Sequence, residues 1–509
     1  MSTQVNKRIA KNTLFLYMRM AITLIVSLYT SRIVLKYLGV LDFGVFEIVN
    51  SITLSFSFVI ASMTLVTQRF LNFTLGQGNS HKVSKVFSTS LNIHLIISVV
   101  FFIISETIGL YFLNHFLNIP EERCFAAKVI YQFAIGSMLF SVISIPYNSL
   151  IIAHEKMSFI AGISIFNAML RLIIVYLLTI VHSDKLIAYA AFALFVTFIV
   201  QCSYVWYCWR NFREHSKYHF ERNTALFKEM VAFSGWCTFG GLTSICKSQG
   251  VNFILNIFYG VTLNAAMGVA NRVADAINQF IANFQTAANP QIIKQYAAGH
   301  IDSLSTLINR VSKFSYCLIL LLVLPVFFNT DFLLHLWLVK VPPYTTIFIQ
   351  LLLIFILLDS LAGPQWMSIL ATGKVRNYYI IETIITFFLI PLSIFLLKMG
   401  FDATAVLVSK IAINTVVLIW RAFFMAKNVG ISAFTYFKNA ILPIFFITPI
   451  AIIPPLIAKQ YLPQGWIDFI LSSTIAFASV SLTTWFLGLS QNEKKAIKEI
   501  LLRKIKQDP

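Results

Sequence analysis

The chain has 509 residues, 58% hydrophobic and 12% charged, with a net charge of +19 and a mean hydropathy of +0.79. Water-soluble domains carry about 25% charged residues, so half that share cannot cover a surface in water and lipid must solvate most of the chain. Its six cysteines (Cys124, Cys202, Cys208, Cys237, Cys246, Cys317) lie scattered in apolar runs, without a C-x-x-C pair or a histidine cluster at ligand spacing, which argues against a disulfide framework or a zinc site.

A helix needs about 20 mostly apolar residues to cross about 30 Å of hydrocarbon. In chain order this criterion predicts spans near 13–35, 43–66, 88–114, 125–149, 158–180, 186–209, 231–257, 262–288, 311–331, 344–370, 378–398, 402–425, 440–457 and 466–488. The first run is too long for a signal-peptide core and lacks a convincing cleavage site, so it reads as an uncleaved first span. The connections are too short for a sizeable soluble domain. The expected fold class is an all-α integral membrane protein with about 14 transmembrane helices.

The distribution of cations orients these spans. Connections assigned to the cytoplasm, with both tails, hold 26 Lys and Arg, from Lys7, Arg8 and Lys11 through Arg210 to Lys228 and on to Arg421 and Lys506. External connections hold 8, among them Arg32, Arg123, Lys340 and Lys459. Cytoplasmic loops are the cation-rich ones, so an even number of spans is expected, in an inner (cytoplasmic) membrane, with both termini cytoplasmic. Membrane orientation accounts for the basic excess, and a nucleic-acid partner is not expected.

The sequence also repeats. A shift of 221 superposes Gly39 on Gly260, Asn50 on Asn271 and Gly78 on Gly299, and one of 218 superposes Pro146, Ala153 and Lys156 on Pro364, Ala371 and Lys374. Six intervening spans leave the halves in one orientation, as in transporters built of parallel repeats. The expected organisation is therefore an N-lobe (1–209, spans one to six), a cytoplasmic linker (210–230) and a C-lobe (231–426, spans seven to twelve). Spans thirteen and fourteen (427–490) and a basic tail (491–509) complete the chain.

A charge near a helix centre costs about 2.5 to 3.5 kcal/mol on insertion scales, so the intramembrane charges mark either a watery path or pairs. Asn12, Arg19, Thr23, Ser27 and Thr30 share one face of span one. Asn264, Asn271, Asp275 and Asn278 form a stripe on span eight, with Arg272 and Gln279 at its flank. On span seven Gln249 and Asn256 share a face, with Lys247 projecting opposite. The two long stripes are the candidate cavity lining. Arg171, Glu106, Lys410, Asp359 and Glu382 lack such a stripe and read as packing partners.

The stretches LGVLDFGVFEIVNSI (38–52), PYNSLIIAHEKM (146–157), ANRVADAINQFIANFQTAANPQIIKQYAAG (270–299) and ATGKVRNYY (371–379) resemble the polysaccharide exporter branch of the multidrug/oligosaccharidyl-lipid/polysaccharide (MOP) superfamily. Within that branch the chain is most similar to O-antigen and capsule repeat-unit flippases. The resemblance spans nearly the whole chain and implies two parallel six-helix lobes, as in multidrug exporters and lipid flippases of this superfamily, plus a C-terminal helix pair. It implies a lipid-linked oligosaccharide on undecaprenyl diphosphate as cargo, moved to the outer leaflet by alternating access, with membrane lipids and other glycan-assembly proteins as partners. By the same resemblance Arg19 and Arg272 are the positions that would hold the diphosphate, with Lys247 a further match and Asn271 and Asn264 beside them. No cofactor is expected, and coupling to protons or sodium would fall to Glu47 and Asp275. Two other readings stay open: a multidrug or cation exporter of the same superfamily, and a membrane glycan polymerase or ligase. The enzyme reading finds no paired carboxylates, Ser-His-Asp set or phosphate-cradling glycine loop.

Overall fold

The computed structural model describes residues 3–76, 80–154, 156–219, 224–372, 375–462, 465–489, 491 and 493–494, with side chains described from residue 22 onward apart from scattered helical positions. In chain order the helices are α1 (Thr3–Leu54), α2 (Ser57–Gly76), α3 (Ser80–Ile104), α4 (Leu110–His115), α5 (Cys124–Ala153), α6 (Met157–Leu177), α7 (Lys185–Asn211), α8 (Arg213–Ser216), α9 (Thr224–Ile245), α10 (Val251–Tyr259) and α11 (Val261–Ala297). They continue with α12 (Ile301–Phe328), α13 (Thr330–Trp337), α14 (Thr345–Asp359), α15 (Ala362–Ala371), α16 (Arg376–Phe387), α17 (Leu389–Lys398), α18 (Thr404–Val429), α19 (Ala433–Tyr436), α20 (Leu442–Tyr461) and α21 (Trp466–Thr483). Single π turns join α3 to α4, α9 to α10 and α19 to α20, and another ends α21.

Among the described residues, eleven helices are long and apolar enough to cross a membrane, so the chain is an all-α, multi-pass membrane protein and the count of 14 spans is not confirmed. Expected spans two, seven and eight have no separate counterpart among the eleven: span two starts on the second limb of α1, inside Ile22–Leu54, and continues as α2, and the other two fall on α9–α10 and on α11. They are helical but more polar, carrying Glu47, Asn50, Lys247, Asn252, Asn264, Asn271, Arg272 and Asp275. Helices that face protein or water need less apolar surface than those that face lipid.

The repeat is visible in the backbone. Within α1, Gly39 makes a corner at φ 76°, ψ 174°, and Gly260 joins α10 to α11 at φ 74°, ψ −169°. This region of the backbone map is open essentially only to glycine, so the two glycines paired by the repeat make the same turn. Pro146 and Pro364 are likewise both buried within helices.

By proximity the chain forms two compact units. The first holds residues 1–269, 337–343 and 393–403, and the second holds 270–336, 344–392 and 404–509. The lobes read from the repeat partition the same chain differently and stay an expectation. In the first unit α5 packs on α7, α2 and α3 around Leu71, Phe87, Leu150 and Ile151. The second limb of α1 and α2 run alongside α9 and α10. A Cβ on Gly44 would fall on the Val261 carbonyl oxygen, one on Gly241 would fall against Phe58, and Ser62 and Thr238 hydroxyls meet at 2.7 Å. Small residues let helix backbones approach in this way where lipid offers no hydrophobic drive to associate. In the second unit α12 packs on α14, α20 and α21, and Tyr378, Met425 and Tyr436 centre a buried cluster.

The linker is strapped down along α3. Ser84 Oγ donates to the Lys217 carbonyl at 3.2 Å, Ser88 Oγ accepts from the His219 amide at 3.1 Å, and the Tyr218 hydroxyl donates to Asn92 Oδ1 at 2.7 Å. These three α3 residues recur every fourth position, one helix face. Upstream, His154 Nε2 and His215 Nδ1 share a hydrogen bond at 3.0 Å, and the His154 ring stacks on Phe212 with centroids 4.0 Å apart.

Burial, then the neighbouring His215 and Lys156, hold the His154 imidazole below its ordinary value of 6.5. In the unfolded chain that ring takes up a proton near 6.5, whereas the folded site refuses it until a lower pH. The contribution is therefore complete above about 6.5 and is lost as pH falls toward the depressed value. Hydrogen exchange across residues 213–219, corrected for intrinsic rate, should accelerate severalfold between pH 7.5 and 5.5, and His154→Phe should abolish that pH dependence while keeping the ring stack.

Candidate functional site

The first unit contains a continuous chain of buried polar groups where the second limb of α1, α10 and α11 meet. Ser51 Oγ donates to the Glu47 carbonyl at 2.9 Å and accepts from Asn252 Nδ2 at 3.1 Å. Asn252 Nδ2 also reaches Gln249 Oε1 at 3.1 Å, and its carbonyl accepts from Asn264 Nδ2 at 2.9 Å. Asn264 Oδ1 accepts from Asn256 Nδ2 at 2.9 Å, and Asn256 Oδ1 accepts from the Asn118 amide at 2.8 Å. Asn256 is fully buried and Asn264 is 2% exposed. An amide stripped of water costs about 1 to 3 kcal/mol when left without partners, so each asparagine here fixes the rotation of the helix that carries it.

Glu47 is half-buried and lies flat across α11, where a Cβ on Gly268 would meet its Cγ and Cδ at 2.7 Å. The repeat places Glu47 and Gly268 in equivalent positions, so the carboxylate arm occupies the space that its counterpart leaves empty.

Lys247 is half-buried and sits in the π turn Cys246–Gly250, which packs against α1 and α10. An ideal helix places Lys247 opposite Asn256. A π turn holds one extra residue, which rotates the residues before it by about 100° relative to those after it. Lys247 lies inside this turn, so regular helical spacing does not assign its side.

The stripe on α11 changes character along its length. Asn264 is buried, Asn271 and Arg272 are half-buried, and Asp275, Asn278 and Gln279 are exposed. Arg19 lies outside the residues whose side chains are described. On the first helix Thr23 and Thr30 are half-buried and Ser27 is exposed.

The charges without a stripe find protein partners. Glu382 Oε1 accepts from Arg421 Nη2 at 2.6 Å in full burial, with the Tyr378 ring 5.8 Å from the guanidinium. Lys410 Nζ lies 4.4 Å from the centre of the Phe355 ring, Glu106 accepts from Gln132 at 3.3 Å, and Arg171 donates to Asn167 at 3.3 Å. Arg421, Arg310 and Lys313 read as loop cations from the sequence but lie within α18 and α12, where Lys313 and Arg310 both clasp Glu493 of the tail. The sequence reading also missed Asn118 and Ser51, since a single polar residue in a loop or an apolar run carries no periodic signal.

Helices arranged in this order, with the Gly39 and Gly260 corners and a polar seam, have the fold of solved transporters of the MOP superfamily. The fold of "Lipid II flippase MurJ, inward closed conformation" matches with a TM-score of 0.69 at 13% identity, covering 93% of this chain and 98% of that one. An inward-facing multidrug resistance MATE family transporter of the MOP superfamily matches at 0.64 and 12% identity, over 81% and 97%. A MOP superfamily transporter from Pyrococcus furiosus, described as having a binding pocket of reversed polarity, matches at 0.58 and 13% identity, over 82% and 96%. No curated protein matches the sequence. The family model described as "Polysaccharide biosynthesis protein" matches residues 9–296, more than half of the chain, and the protein belongs to that family. The resemblance to the polysaccharide exporter branch is borne out, with residues 38–52, 146–157 and 270–296 inside the matched region and 371–379 outside it.

Asn256→Ala removes an acceptor from the Asn118 amide and a donor from Asn264 at once. It should lower the unfolding free energy of the detergent-solubilised protein by about 1 to 3 kcal/mol, seen as a reduced midpoint in thermal unfolding. Asn271→Ala, at a half-exposed position on the same stripe, should cost less than about 1 kcal/mol by the general behaviour of sites outside buried networks.

Proposed function

We propose that the protein is a flippase that moves an undecaprenyl-diphosphate-linked oligosaccharide repeat unit from the cytoplasmic to the outer leaflet, for a surface polysaccharide such as O-antigen or capsule. In this reading it sits in the inner membrane with both termini in the cytoplasm and works by alternating access, and its cargo leaves covalently unchanged. Family membership supports the polysaccharide context. The observation that carries the reading further is the stripe of α11, sealed at Asn264 and progressively open through Arg272 to Asn278. A hydrophilic headgroup needs such a line of polar contacts while its prenyl tail remains in lipid.

Arg272 is the proposed diphosphate contact. Its guanidinium offers five donors in a planar fork that matches phosphate oxygens. Arg19 is the proposed partner on the first helix, with Lys247 as a further cation. Asn271 would meet sugar or phosphate oxygens, whereas both ends of the Asn264 amide are engaged by protein. A cytoplasm-negative potential favours outward movement of the anionic headgroup by about 2.3 kcal/mol per charge per 100 mV. Proton or sodium coupling through Glu47 or Asp275 would add to that drive. Interaction with other glycan-assembly proteins is part of the proposal.

Arg272→Ala should abolish surface glycan and accumulate lipid-linked sugar on the cytoplasmic side, with protein level and insertion unchanged. Arg272→Lys should restore only part of the activity, because an ammonium supplies charge without the fork. Glycan staining of intact cells and extraction of lipid-linked sugars measure both. Normal glycan in Arg272→Ala refutes the role, and efflux of cationic dyes without a glycan defect favours a multidrug exporter.

A further inference from the structure

Beyond α12 the chain forms the eight-residue α13, which ends at Trp337, and the indole Nε1–H of Trp337 donates to the Leu28 carbonyl oxygen at 2.7 Å. Leu28 precedes the Gly39 corner by 11 residues, about 16 Å along a helix that rises 1.5 Å per residue. The last side chain of α13 thus meets the first helix well before its corner. A half-buried indole offers a large apolar body and one donor that needs a partner, and a helical carbonyl retains a second lone pair to accept it.

The segment after Trp337 is distinctive in three ways. Residues 337–343 group with the first unit, whereas Leu336 and Tyr344 at either end belong to the second. Leu338 is 3% exposed, and Pro342 and Pro343 stiffen the chain behind it. Tyr344 then adopts φ 66°, ψ −4°, the one non-glycine residue with positive φ among the described residues. Left-handed backbone is sterically disfavoured for a residue with a Cβ, and such strain persists where the surrounding structure holds it, often in segments that switch.

We infer that Trp337 is a latch that fastens the first helix on the outer side, and that Tyr344 is the strained hinge on which the latch swings free. The inference rests on the alternating-access reading. Release of cargo outward requires the outer ends of the helices to part, and the Trp337 to Leu28 bond must break first. Backbone strain at Tyr344 lowers the cost of that release, so the latch is closed but not permanently locked.

The test uses full-length protein in whole cells, with Leu28→Cys as the reporter. That change alters the side chain and leaves the carbonyl in place. Labelling by a membrane-impermeant maleimide added outside is read at position 28 by peptide mass spectrometry. Adding Trp337→Phe, which keeps an aromatic ring but removes the donor, should raise the labelling rate roughly two- to tenfold, the range set by the net worth of one hydrogen bond. Adding Tyr344→Gly instead relieves the strain of the closed state and should lower labelling about fivefold or more. Equal labelling with and without Trp337→Phe overturns the latch, and unchanged or increased labelling with Tyr344→Gly overturns the hinge. Tyr344→Gly leaves Trp337 in place, so the proposal stays testable should Trp337→Phe reduce the amount of folded protein. Labelling needs no cargo: normal surface glycan in cells lacking the protein would remove the proposed cargo and leave the latch standing.

Discussion

Hydrocarbon does not forgive an unpaired amide, and the architecture derives from that constraint. Every backbone N–H and C=O within the membrane must be satisfied inside the protein, which leaves helices as the only regular element this sequence can use. The same constraint applies to side chains. Asn252, Asn256 and Asn264 engage one another, Ser51, Gln249 and the Asn118 backbone in one chain. Because each bond requires a particular rotation and height of its helix, this set fixes the register of α10 and α11 against the second limb of α1. Apolar contacts alone would let these helices slide, since lipid tails solvate leucine as well as another helix does.

Charges obey the same logic at higher stakes. The Glu382–Arg421 pair is buried at 2.6 Å, and loss of either partner would strand the other in a medium of low dielectric. Arg123 is held between Asp42 at 2.9 Å and Asp184 at 2.7 Å. Asp184 also caps α7 by accepting from the Leu186 and Ile187 amides. These sets neutralise themselves. Along the α11 stripe exposure rises from buried Asn264 to exposed Asn278.

Much of the fold was legible because its signals are long. A run of about 20 apolar residues, a cation excess on alternate connections and a repeat of 221 positions all average over many side chains. The Gly39 and Gly260 corners were visible as a repeat match, and the structure supplies their reason, a backbone conformation only glycine adopts readily. What escaped the sequence was local. Regular helical phasing cannot anticipate a π turn, and the one at Cys246–Gly250 breaks the phase between the residues before it and those after it. Nor does periodicity distinguish a loop cation from one at a helix end, so Arg421 and Lys313 read as solvent-facing when they are buried pairs. The three spans that fall short of a purely apolar criterion are informative for the same reason. Their polarity weakens the membrane signal.

The site was legible as composition and less so as role. Asn264, Asn271 and Asp275 share a helix face by spacing alone, yet spacing assigns them one common environment. Burial separates them: Asn264 is committed at both ends of its amide, Asn271 is half-open and Asp275 is exposed. A single stripe thereby performs two tasks along its length. At one end its groups satisfy each other and hold helices together, and further along they become more exposed. On the proposed transport reading, such a helix would bind a polar headgroup without loosening its own packing, because the residues that hold the helix and those proposed to meet the cargo are different ones. Arg272, half-buried, lies between the two regimes. The same division explains why losing a buried amide and losing the arginine should act on different observables, stability in one case and transport in the other.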